Sequence, residues 1–131
     1  MASIPPEFLD LFEKKAFAHL ATLMPDGTPQ VTPVWVDFDG THILVNTARG
    51  RVKDRNMQAR PQVAVAIIDS DNPYRYLAVR GRVVAMEEDG AAEHINRVLS
   101  PKYTGRIGDF GRGGEVRRLY RILPEHVDAH G

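Results

Sequence analysis

The segment HLATLMPDGTPQVTPVWVDFDGTHILVNT, residues 19–47, decides the fold. Two Asp-Gly pairs, Asp26-Gly27 and Asp39-Gly40, interrupt runs that are rich in Val, Thr and Ile. Glycine accepts the positive φ of tight hairpin turns, so both pairs are typical of turns between antiparallel strands. Residues 17–47 are therefore predicted to form three sequential antiparallel strands.

Outside this segment, the pattern continues with short strands and few helices. Before it, Phe8, Leu11 and Phe12 fall on one face of a predicted opening helix, with Ser3 as its cap. After it, the sequence predicts a helix over VKDRNMQA (52–59), strands over 62–69 and 74–87, a second helix over 88–103 and a final strand and tail over 115–130.

Two details of the later elements are also predicted. Gly81 lies inside the long strand and indicates a bulge or a close backbone approach. In the second helix, Ile95, Val98 and Leu99 are expected on one side. The chain of 131 residues is thus predicted to be one domain, residues 1–131, of mainly β class: an antiparallel barrel with peripheral α-helices.

Composition narrows the function. The 17 Lys and Arg residues balance 17 Asp and Glu residues, so general attraction to nucleic acid or to an anionic membrane is not expected. The chain has no cysteine, which excludes thiol catalysis, disulfides and thiolate metal sites. The five histidines lack ligand-like spacing, so no metal site is predicted. The first residues do not resemble a signal peptide and no apolar run reaches a membrane span, so a cytoplasmic protein is expected.

One short stretch, TARGRVKDRNMQARP at 47–61, concentrates positive charge: Arg49, Arg51, Lys53, Arg55 and Arg60. Two interpretations are open. The cations are solvated on a helix surface, as most charge runs are. Alternatively, Arg51 and Lys53 bind a phosphate at the helix N-terminus, where free N–H groups favour anions.

Aromatic residues offer further candidates. Trp35 follows Pro33, which cannot donate to a strand ladder, so this strand is predicted at a sheet edge or at a bulge. Trp35 then either packs in the core or flanks a flat ligand. Tyr74, Tyr76 and Arg80 share a strand face and either line a pocket or make ordinary cross-strand contacts.

The order HLATLMPDGTPQVTPVWVDFDG, ILVNTARGRVKDRNMQARPQVAVAIID and YLAVRGRVV resembles the split-barrel flavin and deazaflavin oxidoreductases. More narrowly, it resembles the branch of the pyridoxamine 5'-phosphate oxidase-like superfamily that uses coenzyme F-420, an 8-hydroxy-5-deazaflavin. The resemblance runs from about Phe17 to Val84. It implies the FMN-binding type of split barrel, a homodimer with cofactor sites at the interface, and hydride transfer between the cofactor and an electron-poor small molecule.

The resemblance also implies site residues. Arg51, Lys53, Arg55 and Asn56 are expected at the phosphate end of the cofactor. The residues expected beside the ring are Thr32, Pro33, Val34, Trp35, Asn46, Thr47 and Ala48, with Tyr76 and Arg80 contributed by the partner subunit. Tyr76 is also a candidate proton donor to the substrate, alongside other polar side chains and water.

Three rival functions remain at this point. The same fold serves FMN-dependent oxidoreductases and pyridoxamine phosphate oxidases, but RRLYR at 117–121 is the only other basic cluster for a second phosphate. A deazaflavin-binding carrier without turnover is the second rival. A small barrel that binds oligonucleotides is the third, and zero net charge with only 8% aromatic residues disfavours it.

Overall fold

Seven antiparallel strands form one sheet in the computed structural model, which describes residues 2–131. Their order across the sheet is β2-β1-β5-β6-β7-β4-β3. In chain order the strands are β1 (Ala18–Leu23), β2 (Pro29–Val34), β3 (Val36–Phe38), β4 (Ile43–Ala48), β5 (Gln62–Ile68), β6 (Tyr76–Glu87) and β7 (Arg117–His130).

Both predicted Asp-Gly turns are present, with φ of 86° at Gly27 and 96° at Gly40. The prediction of three sequential strands is wrong in one respect, because the middle strand is divided at Trp35. β2 pairs with β1, whereas β3 pairs with β4. The two hairpins therefore lie at opposite edges of the sheet, which agrees with the edge position predicted from Pro33.

The sheet curls around its core. Val34 of β2 and Val36 of β3 stand at opposite edges of the strand order, yet both belong to the same buried cluster as Val65 and Val79 from the middle. Opposite edges can share one core only if the sheet closes toward itself. The predicted fold class, a mainly β split antiparallel barrel with peripheral helices, is confirmed.

Three helical segments lie outside the sheet. A 3₁₀ helix spans Pro6–Phe12 and buries Phe8, Leu11 and Phe12 as predicted, but its cap position is Pro5 and not Ser3. Helix α1 spans Val52–Ala59, the predicted range. In residues 2–131 no helix is long and apolar enough to cross a membrane.

The third segment, α2, covers residues 91–104 and changes its helix type along its length. An α-helical turn (Ala91–His94) passes into a π-helical turn (Ile95–Leu99) and then into a second α-helical turn (Ser100–Thr104). Ile95 and Leu99 are buried as predicted, but Val98 is 49% exposed. The wider π turn holds more residues than an α turn, so Val98 rotates away from the predicted face.

Gly81 occupies a place that only glycine fits. The register of β6 against β7 shifts between Arg80 and Gly81, which confirms the predicted bulge. A Cβ atom at Gly81 would lie 2.2 Å from the backbone oxygen of Leu123. The close contact between β6 and β7 therefore depends on the absence of a side chain at Gly81.

Candidate functional site

A cleft of about 240 Å³ opens where β2, β4, α1 and α2 approach one another. It lies beside the break between β2 and β3, so the interruption at Trp35 helps to form it. The lining residues come from separate parts of the chain: Phe17, Pro33, Val34, Trp35, Asn46, Thr47, Arg51, Lys53, Ile95, Phe110 and Arg117. Seven of these were predicted from the sequence: Pro33, Val34, Trp35, Asn46, Thr47, Arg51 and Lys53.

One end of the cleft is strongly cationic. Arg51 is the N-cap residue of α1, Lys53 lies in its first turn, and Arg117 begins β7. Among residues 2–131, no Asp or Glu forms an ion pair with Arg51 or Lys53, and Arg117 pairs only with Glu115, at 3.3 Å. Three cations with a single carboxylate partner form a local excess of positive charge.

Burial, and to a smaller extent this excess of charge, lowers the pKa values of Lys53 and Arg117. Burial, together with the nearby Arg51 and Arg117 guanidinium groups, lowers the pKa of Lys53. Burial also lowers the pKa of Arg117, an effect that Glu115 opposes and Arg51 reinforces. Both shifts mean that the protein holds positive charge here at an energetic cost. An anionic ligand placed between these groups would relieve that cost.

Asp54 does not neutralise the cluster, although it lies next to Lys53 in the sequence. Its buried carboxylate accepts hydrogen bonds from the Gly50 N–H, the Arg118 guanidinium and the Tyr120 hydroxyl. Burial alone would raise the pKa of Asp54, but these bonds hold it below its ordinary value. Asp54 therefore fixes the start of α1 and does not neutralise the charges of Arg51 and Lys53 in the cleft.

The other end of the cleft is aromatic. The Trp35 ring stacks on Tyr103 with 5.2 Å between centroids and an interplanar angle of 3°. Phe110 meets Trp35 edge to face at 5.8 Å. Phe17 packs on Tyr103 and remains 50% exposed. Trp35 thus satisfies both interpretations from the sequence, because one surface packs inward and another lines the cleft.

Tyr103 supports this aromatic end, and its hydroxyl group is hydrogen-bonded to the backbone on both sides. Its buried hydroxyl donates to the Ala16 carbonyl oxygen at 2.7 Å and accepts from the Val36 N–H at 3.2 Å. Burial raises the pKa of Tyr103 to about 12. The Tyr103 side chain is therefore a fixed, protonated support beneath Trp35.

Four of the other predicted residues lie outside the cleft. Arg55 is exposed and donates to the Gly50 carbonyl oxygen. Asn56 points into the protein, where it donates to the Thr22 hydroxyl at 3.0 Å and accepts from Arg60. Ala48 is buried opposite Arg117, and Thr32 stands two residues before Val34 on β2. None of the four lines the cleft of its own chain, so their contact with the cofactor stays a prediction.

Tyr76 and Arg80 also lie away from the cleft of their own chain. Tyr76 stacks on His130 with 4.7 Å between ring centroids, and Arg80 is exposed on the outer face of β6. Since the resemblance assigned both residues to a partner subunit, their contribution stays a prediction. The same holds for Tyr76 as a proton donor.

Four lining residues were not predicted as site residues from the sequence: Phe17, Ile95, Phe110 and Arg117. Arg117 belongs to the second basic cluster, but only the pairing of β4 with β7 places it opposite Ala48. Phe110 stands in a glycine-containing loop whose path is set by contacts with Asn96, which donates to the Phe110 carbonyl and accepts its N–H. No local pattern could have shown either contact.

Known proteins resemble this chain in sequence and in fold. The family model described as pyridoxamine 5'-phosphate oxidase matches residues 4–131. A solved structure named as an F-420 reductase is 35% identical to this chain. The match covers 95% of this chain and 98% of that chain, and the TM-score is 0.83.

More distant structures share the fold alone. A conserved hypothetical protein from Mycobacterium tuberculosis is 23% identical, with 99% of this chain and 86% of that chain covered and a TM-score of 0.78. The heme storage protein HutZ from Vibrio cholerae is 17% identical, with 99% and 96% covered and a TM-score of 0.71.

Proposed function

This chain belongs to the pyridoxamine 5'-phosphate oxidase family, and from that premise we propose that it is an oxidoreductase that uses coenzyme F-420. The reaction is hydride transfer between the cofactor and an electron-poor small molecule. The observation that carries the proposal is the cleft itself. Arg51 and Lys53, which form no ion pair within residues 2–131, lie at one end, and the Trp35 ring lies at the other. The 35% identity to an F-420 reductase favours the deazaflavin over FMN.

The cationic end fits the anionic part of such a cofactor. The phosphodiester and glutamate tail of coenzyme F-420 carry more negative charge than one phosphate monoester. Arg51 and Arg117 offer guanidinium N–H groups that suit phosphate oxygens, and Lys53 adds a compact charge. The N-terminus of α1 contributes free N–H groups and partial positive charge in the same direction.

The aromatic end fits a flat ring. Trp35 and Phe110 provide apolar surface, and Pro33 and Val34 complete that wall of the cleft. When bound, coenzyme F-420 supplies the hydride chemistry at its central ring carbon, so the protein needs no nucleophilic side chain. The residues of this chain bind the tail, orient the ring and exclude water from the reacting face.

A second copy of the chain completes the site in this proposal. The cleft of about 240 Å³ is smaller than the roughly 300–1,000 Å³ of ordinary ligand pockets, so one subunit encloses only part of the cofactor. Phe17 and Pro33 line both the cleft and an adjoining apolar groove on the outer face of the sheet. A partner covering that face would also reach the rim of the cleft, where Tyr76 and Arg80 of the second subunit are expected.

The test is a binding titration followed through the tryptophan. Trp35 is the single tryptophan of the chain and lines the cleft, so its fluorescence reports directly on occupancy. Tight, saturable quenching by coenzyme F-420 with weak quenching by FMN supports the proposal. Free N-acetyltryptophanamide titrated with the same cofactor concentrations serves as the control for inner-filter effects.

The alternative functions give different results. Preference for FMN would place the chain among the FMN-dependent members of the family. Tight binding of F-420 without turnover of any electron-poor acceptor, measured with the reduced cofactor, would make it a carrier. If neither cofactor bound, the proposal would be overturned. Arg51 and Lys53 would then be interpreted as ordinary solvated charges.

A further inference from the structure

Arg117 is held in a fixed orientation by a chain of hydrogen bonds that begins outside the cleft. Its Nε donates to the Oδ1 of Asn46 at 3.0 Å, and its Nη1 donates to Glu115 at 3.3 Å. The Phe110 ring lies 5.2 Å from its Cζ atom. Among residues 2–131, Nη2 of Arg117 has no hydrogen-bond acceptor, so this nitrogen remains for a ligand.

The orientation of the Asn46 amide is fixed from two sides. Its Nδ2 donates to the Ala91 carbonyl oxygen at 2.8 Å, while its Oδ1 accepts from Arg117. A reversed amide would place an oxygen against the Ala91 carbonyl and an N–H against the Arg117 N–H. Both contacts would be repulsive.

His94 provides the third partner of Asn46. The second Nδ2 hydrogen of Asn46 faces Nδ1 of His94 at 3.3 Å, and Nε2 of His94 lies 3.0 Å from Oδ2 of Asp37. Asn46 is a donor here, so Nδ1 of His94 must be the acceptor. In this arrangement the other ring nitrogen, Nε2, donates its proton to Asp37.

We propose that His94 is a positioning residue: it accepts from Asn46 and so directs the free Nη2 of Arg117 toward the anionic part of the ligand. His94 does not line the cleft, and it acts only through Asn46. The identity of the ligand rests on the proposed function. The hydrogen-bond chain itself is a property of the free protein.

Two substitutions of His94 separate positioning from simple structural support. In His94→Asn, the side-chain oxygen takes the place of Nδ1 and still accepts from Asn46, but the contact with Asp37 is lost. In His94→Gln, the side-chain amide takes the place of Nε2 and still donates to Asp37, but no acceptor faces Asn46. The positioning role requires the first contact, and a structural link between α2 and β3 requires the second.

The first readout is affinity for coenzyme F-420, measured by quenching of Trp35. We expect His94→Gln to bind about fivefold more weakly, the effect of one ordinary hydrogen bond, and His94→Asn to stay within about twofold of the original protein. The reverse order would overturn the proposal. Adding His94→Gln to Asn46→Ala should cause no further loss, because His94 acts through Asn46; additive losses would also overturn it.

The second readout needs no ligand. Hydrogen exchange of the Arg117 Nε–H, followed by NMR, reports whether Asn46 still accepts from it. Protection in the original protein and in His94→Asn, with faster exchange in His94→Gln, is expected. Equal protection in all three proteins would refute the positioning role even if neither cofactor bound, so this result is distinguishable from failure of the proposed function.

Discussion

Replacing Lys53 by methionine should stabilise the free protein while weakening cofactor binding. The methionine side chain keeps most of the apolar stem of lysine but removes its charge. Lys53 has two cationic neighbours, Arg51 and Arg117, and no ion-pair partner among residues 2–131. In the free protein the Lys53 charge therefore lowers the stability of the fold. An anionic ligand would make a favourable contact with the same charge.

The two effects have different sizes. Each like-charge neighbour costs about 0.2–0.5 kcal/mol, so removing both repulsions should gain roughly 0.5–1 kcal/mol. For a domain of this length, that gain raises the melting temperature by about 2–4 °C. Loss of a charge-assisted hydrogen bond costs about 1.5–3 kcal/mol of binding free energy, which weakens the Kd for coenzyme F-420 by about 10- to 150-fold.

Thermal unfolding without ligand and Trp35 quenching with coenzyme F-420 measure the two quantities on the same samples. Arg49→Met is the matched control, because Arg49 belongs to the same basic stretch but does not line the cleft. It should change affinity by less than about twofold. A lower melting temperature for Lys53→Met with unchanged affinity would show that Lys53 has a structural role and would refute the reasoning. Equal losses for both variants would show diffuse electrostatic attraction in place of a site.

Three other predictions test the fold, its charges and its assembly. Gly81→Ala should destabilise the protein by more than about 2 kcal/mol in urea unfolding, since its Cβ would overlap the Leu123 oxygen; a loss below about 0.5 kcal/mol would contradict the close approach. The Asp71 N–H, Arg75 and Lys14 hold the pKa of Asp69 well below its ordinary value, so Asp69→Asn should reduce stability at neutral pH. A carboxylate with a depressed folded-state pKa contributes stability that is lost as pH falls. The difference in unfolding free energy between the original protein and Asp69→Asn should therefore shrink below about pH 4. A difference that stays constant down to strong acid would contradict this prediction. Val31→Arg places a charge on the outer face, where Val31 is 60% exposed, and should convert a dimer of twice 14.6 kDa into monomers in light scattering; a monomeric parent protein would refute the proposed assembly.

Much of the site was predictable because its residues follow one another in short motifs. Arg51 and Lys53 form a local cluster at a helix start that Gly50 and Pro61 bracket in the sequence. Pro33 and Trp35 mark an interrupted edge strand. In both cases the physical cause lies within a few residues: the helix N-terminus attracts anions, and proline cannot donate to a ladder.

Other assignments depended on rotation that a short motif does not determine. Arg55 and Asn56 belong to the same basic motif, yet neither lines the cleft. Asn56 is drawn inward because Thr22 and Arg60 satisfy its amide there. Val98 turned outward because the π-helical turn of α2 changed the face on which the residues fall.

The sequence alone determined the hairpin turns, the range of α1, the bulge at Gly81 and the basic cluster, because each depends on glycine, proline or charge at neighbouring positions. Only the tertiary structure decided which distant residues meet. The pairing of β4 with β7 brings Arg117 beside Asn46, and the hydrogen bonds of Asn96 to the loop bring Phe110 against Trp35. Such contacts join residues as far as 75 positions apart, and their geometry follows from strand order and packing, which no local pattern encodes.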